Sequence, residues 1–103
     1  MTQAFEHEQW WLATLGRTAI WARLRVLEAG TAEVLDSDGN TLPYDSEDTA
    51  RAALMDAEFV QYDGLDEDDA AARGFALGEL APPQAGSDAA LAALMTQQLP
   101  PRH

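Results

Sequence analysis

Neither cysteine nor lysine occurs in the 103 residues, and histidine occurs only twice. Without cysteine there is no disulfide, no thiolate nucleophile and no Cys-based metal site. Without lysine there is no Schiff-base chemistry and no phosphate-loop lysine. His7 sits in a polar leader and His103 is the terminal residue; neither has a serine or second histidine at catalytic or metal-binding spacing, so both read as exposed and idle. Gly-rich phosphate loops, nucleophile elbows and HExxH are also missing, which argues against an enzyme and implies no cofactor. No apolar run approaches the roughly 20 residues of a membrane helix, and MTQAFEHEQ has neither the basic flank nor the apolar stretch of a secretory signal. A cytoplasmic location is the expectation.

What is present points to a folded chain. The apolar fraction is 47%, and there are three tryptophans in a length suited to one domain. The net charge of −12 is concentrated. Residues 1–32 balance three glutamates against three arginines, and residues 70–103 balance two acids against two arginines. Residues 33–69 hold thirteen carboxylates against Arg51 alone. Such a field repels nucleic acid and anionic membrane and attracts cationic partners.

Period-two patterning dominates the first half. In Thr18 to Leu27, Ile20, Ala22, Leu24 and Val26 alternate with Trp21, Arg23, Arg25 and Leu27, which marks a half-buried strand. Residues 2–8 read as frayed. Residues 10–15, WWLATL, fit a helix grouping Glu8, Trp11, Leu12 and Leu15, or a strand with Trp10, Leu12 and Thr14 on one face; the paired aromatics and the Gly16-Arg17 turn favour the strand. Thr31 to Leu35 is a further strand. Asp38-Gly39 predicts a type I′ hairpin into Thr41 to Tyr44, where Pro43 marks an edge. Asp45 or Ser46 caps a helix to residue 57 with Ala50, Ala53, Leu54 and Ala57 as its buried stripe. Phe59 to Tyr62 is extended. Asp66 caps a shorter helix closed by Gly74. After the Pro/Gly-containing linker at 81–87, Leu91, Leu94, Met95 and Leu99 form an apolar stripe that Pro100-Pro101 stops.

Four features compete for a role. Asp36, Asp38, Asn40 and Glu47 stand at the first, third, fifth and twelfth positions of a calcium loop, but Gly39 is two places early and Pro43 intrudes, so an ordinary hairpin and helix cap is preferred. Asp66, Glu67, Asp68 and Asp69, following Asp63, form the densest carboxylate cluster: a docking face for a basic partner, a weak divalent-cation site, or simply a helix start complementing its dipole. Trp10, Trp11 and Trp21 lack the cationic groove that accompanies base stacking. Trp21, Arg23 and Arg25 share a strand face that is either an exposed Trp/Arg patch or is packed under the C-terminal tail.

The expected fold is α+β: an antiparallel three- to four-stranded β-meander packed against one main helix plus a short second helix. Residues 1–80 form this domain. Residues 81–103 are a linker followed by an amphipathic C-terminal helix or a disordered tail, flexible or loosely docked. The expected function is a small acidic, non-enzymatic adaptor or regulatory protein that binds a basic protein surface through residues 33–69. The alternatives are a DNA mimic that inhibits a nucleic-acid-binding protein and a weak divalent-cation module. The candidate partner-binding residues are Asp63, Asp66, Glu67, Asp68, Asp69, Trp21, Arg23 and Arg25. No direct contact with nucleic acid or membrane is expected, and the chain is read as a monomer or weak homodimer.

Overall fold

The computed structural model describes residues 5–99. The polar residues 2–4, the Pro100-Pro101 stop and His103 therefore lie outside the described residues. Strands β1 (Phe5–Leu15) and β2 (Thr18–Leu27) form a long antiparallel hairpin in which Trp10 pairs with Arg23 and Leu12 with Trp21. Gly16 turns it with φ 60°. The strand reading of residues 10–15 is the one adopted, and β1 starts at Phe5, inside the 2–8 leader expected to fray. Glu8 opposite Arg25 pairs unlike charges across the hairpin.

Strands β3 (Ala32–Leu35) and β4 (Thr41–Tyr44) extend the sheet beyond β2, with Pro43 on the outer strand, where its missing N–H costs no ladder bond. The hairpin between them differs from the expected type I′ turn: Gly39 has φ 88°, but Asp38 is not in the left-handed region. The Asp36 carboxylate accepts the amides of Asp38 at 3.0 Å and Asn40 at 2.9 Å, so this side chain, rather than a second left-handed residue, shapes the turn.

Helix α1 (Glu47–Asp56) is capped by Ser46, whose Oγ accepts the Thr49 amide. It ends in a Schellman motif: Glu58 N–H bonds Met55 O and Phe59 N–H bonds Leu54 O, with Glu58 itself left-handed at φ 68°. Strand β5 (Val60–Gln61) then pairs with β1 at Trp11 and Leu12. Helix α2 (Glu67–Ala72) closes with the same motif, here with Gly74 at φ 92°.

The C-terminal segment departs most from expectation. Helix α3 (Asp88–Ala93), capped by Ser87, leads into strand β6 (Thr96–Gln98), which pairs with Thr18–Ile20 of β2 beside the stretch that β3 occupies. The sheet thus has six strands among the described residues, not three or four, ordered β4-β3-β2-β1-β5 with β6 on β2. Trp21 N–H bonds Met95 O at 2.8 Å, and Leu99 N–H bonds Arg17 O at 2.8 Å. The buried cluster runs across residue 80, with Leu80, Leu91, Met95 and Leu99 packed together with Leu12 and Trp21.

Alternation along the strands sorts two buried layers. Trp11, Ala22, Leu24, Val26 and Val34 pack beneath Ala50 and Leu54 of α1. On the other face, Leu12, Trp21 and Leu35 meet Ala70, Phe75, Leu80, Leu91 and Met95. The period of two is real, but β2 is covered on both sides rather than half-buried, because the C-terminal layer needs a surface on which to bury its own apolar stripe.

Candidate functional site

The acidic segment runs from one layer to the other. Between α1 on one face and α2 on the opposite face, the chain passes around the sheet edge at β5. Asp56, Glu58, Asp63, Asp66, Glu67, Asp68 and Asp69 line this passage, all are exposed, and no basic residue interrupts it. We refer to it as the rim. Its carboxylates are not equivalent. Asp66 caps α2 by accepting the Asp69 amide at 2.8 Å, and Asp69 returns the bond as a capping box. Asp63 lies in a 3-10 turn, and Glu67 and Asp68 face solvent in the first turn of α2. Met55, 54% exposed, stands beside Asp56 as an apolar contact at the rim's start.

The remaining carboxylates of residues 33–69 lie elsewhere and partly serve the fold. Asp36 holds its hairpin, and Glu47 accepts a 2.8 Å bond from Gln9 Nε2 across to β1. Gln9, itself buried, also accepts Trp11 Nε1 at 3.1 Å and Arg51 Nη1 at 3.2 Å, while Arg51 lies over the Trp11 ring. Arg51, the one cation of the acidic region, is thus turned onto the sheet and fastens α1 to it. The calcium-loop positions are split between these tasks, and no group of three or more acidic or histidine side chains among the described residues is arranged to hold a metal.

The Trp/Arg face resolves against the exposed-patch reading. Trp21 is fully buried under the C-terminal layer, and its Nε1 donates to Gln97 Oε1 at 3.0 Å. Its ring meets Trp10 and Tyr62 edge-on, at 5.9 and 5.0 Å between centroids. Arg23 is also buried, at 4% exposure. Its Nη2 donates to Asp88 Oδ1 at 3.2 Å, whereas its Nε, 4.0 Å from Glu8 Oε2, has no hydrogen-bond acceptor among the described residues. Arg25, partly exposed, donates from Nε to Glu8 Oε2 at 2.8 Å.

Above this ladder is a cavity of about 430 Å³. Glu8, Trp10, Arg23 and Arg25 form its floor on the sheet, and the 81–85 segment forms its roof through Pro82 and Pro83. Of the charged residues on its lining, Glu8 pairs with Arg25, and Arg23 pairs with Asp88, which lies outside the lining, so the cavity walls carry one more cation than anion while the rim is strongly negative. Sequence reasoning found Arg23 and Arg25 but missed Glu8, Trp10 and Asp88 as their neighbours. Continuing the β1 alternation back from Trp10 would have placed Glu8 on this face. Nothing in the sequence brings Asp88 to Arg23. Comparison with protein families, curated proteins and solved structures finds no match to this chain.

Proposed function

We propose that this protein is a non-enzymatic adaptor that binds a basic protein surface through residues 33–69, with the contact centred on the rim from Asp56 to Asp69. The observation that supports this reading is the exposure of seven consecutive carboxylates with no intervening cation, wrapped around one sheet edge. Capping accounts for Asp66 and Asp69. Among the described residues the side chains of Asp56, Glu58 and Asp63 have no equivalent task, and Glu67 and Asp68 serve only to complement the α2 dipole. Like charges held close together repel one another, and a cationic partner relieves that repulsion as it docks.

The test is a pull-down from native lysate with nuclease present, at low and moderate salt. The control carries Asp56→Asn, Glu58→Gln, Asp63→Asn, Glu67→Gln and Asp68→Asn, which leaves the Asp66–Asp69 capping box intact. The expected result is one basic partner held by the wild type, released as ionic strength rises, and lost by the control. Equal retention by both proteins, or affinity indifferent to salt, refutes the reading. A partner that nucleic acid displaces from the rim would convert the adaptor into a DNA mimic.

A further inference from the structure

We propose that the cavity over Arg23 binds a small organic carboxylate with a flat apolar body, its carboxylate taking the place of Asp88 on the Arg23 guanidinium. The inference is independent of the rim and its partner. A guanidinium presents five N–H donors, and a buried one with an unmet donor is costly. Arg23 has 5% of its side chain exposed, yet its Nε–H has no acceptor among the described residues. Its hydrogen bond to Asp88, at 3.2 Å, is made by a carboxylate that is 59% exposed. Asp88 is solvated by water when it leaves, so an incoming carboxylate that keeps the buried Arg23 paired takes its place without leaving an uncompensated buried charge.

Charge decides the ligand class. Arg23 and Arg25 are already balanced by Glu8 and Asp88, so an added dianion would bring surplus negative charge into a protein of net charge −12. A monocarboxylate that displaces Asp88 keeps the buried guanidinium paired and adds a single charge. The walls decide the body. Trp10 on the sheet and Pro82 and Pro83 on the covering segment line an open-sided groove, and Leu91 adds a further apolar wall. The volume of about 430 Å³ falls within the range of small-molecule sites. An apolar ligand body packs against Trp10 and the two prolines while its carboxylate pairs with the Arg23 guanidinium, where fork-shaped pairing is favoured.

The test is a benzoate titration followed by ¹⁵N NMR at the Trp10 indole and the Arg23 Nε–H, with neutral benzamide as comparison. Benzoate should give saturable shifts at both groups, and benzamide should not. Asp88→Asn removes the internal competitor on an exposed side chain and should tighten benzoate binding roughly two- to fivefold. Arg23→Gln should abolish it. If that buried substitution fails to fold, the Asp88→Asn comparison still decides. No saturable benzoate shift in either the wild type or Asp88→Asn overturns the proposal. So does benzamide binding as well as benzoate, or weaker benzoate binding by Asp88→Asn.

Discussion

Met95→Ala tests whether the C-terminal segment is part of the fold or an appendage. Met95 is fully buried between the sheet and α3, and its carbonyl accepts the Trp21 amide. Truncating a buried methionine to alanine costs about 2–5 kcal/mol when the surroundings cannot collapse into the gap. Here the neighbours include Trp21, pinned by its own bond to Gln97, and Leu12 on the central hairpin, so little relaxation is available. In a domain of this size each kcal/mol lowers Tm by about 4–8 °C, which gives an expected loss of roughly 8–40 °C. Met55→Ala provides the internal control: the same chemistry at 54% exposure should shift stability by less than about 0.5 kcal/mol. Thermal unfolding should be followed by far-UV circular dichroism and by tryptophan fluorescence, which reports directly on the Trp21 contact. Both probes should show one coincident transition, displaced for Met95→Ala and unmoved for Met55→Ala. Equal melting of the two variants, or an early fluorescence transition that leaves the sheet signal intact, would mean that residues 88–99 are loosely held after all.

The two helix ends make opposite predictions from one motif. Glu58→Gly relieves a left-handed glutamate at φ 68° and should stabilise the protein by about 0.5–1 kcal/mol, read as a higher urea midpoint with an unchanged m-value. Gly74→Ala imposes the same penalty at φ 92° and brings a Cβ to 2.8 Å from Arg17 Nη1, whose side chain donates to Gly74 O, so it should cost about 1–2 kcal/mol in the same assay. Gln9→Ala strips the Trp11 indole of its buried acceptor and should cost about 1–3 kcal/mol; a melting temperature equal to the wild type's would show that the α1 clamp is not an energetic contact.

What could be read from the sequence follows from the range of the interactions involved. The Ser46 and Asp66 caps, Gly74 at a helix end, Pro43 on an edge and the alternation of β2 depend on neighbours a few residues apart, and each stands where local chemistry placed it. The Asp38-Gly39 turn was located but mistyped, because its form is chosen by the Asp36 side chain, which offers the backbone a cheaper solution than a second left-handed residue. The rim was legible as a charge total and opaque as a surface. The crossing from one face to the other at β5 gathers seven of the carboxylates along one edge, where Asp66 and Asp69 cap α2 and the others face water. The cavity depends on still longer separations. Arg23 reaches Asp88 across 65 residues, and the Pro82-Pro83 roof that seemed to announce a linker is instead drawn over the sheet by α3 and β6. An arginine on an otherwise apolar strand face is therefore ambiguous until its cover is known: under solvent it is a surface charge, while beneath a packed layer it is a buried donor whose partners must be supplied. Here the described residues supply them incompletely, with the exposed Asp88 carboxylate on Nη2, Glu8 at 4.0 Å and no hydrogen-bond acceptor for the Nε–H. That deficit, rather than the density of acidic residues, makes the Arg23 face the chemically specific part of the molecule.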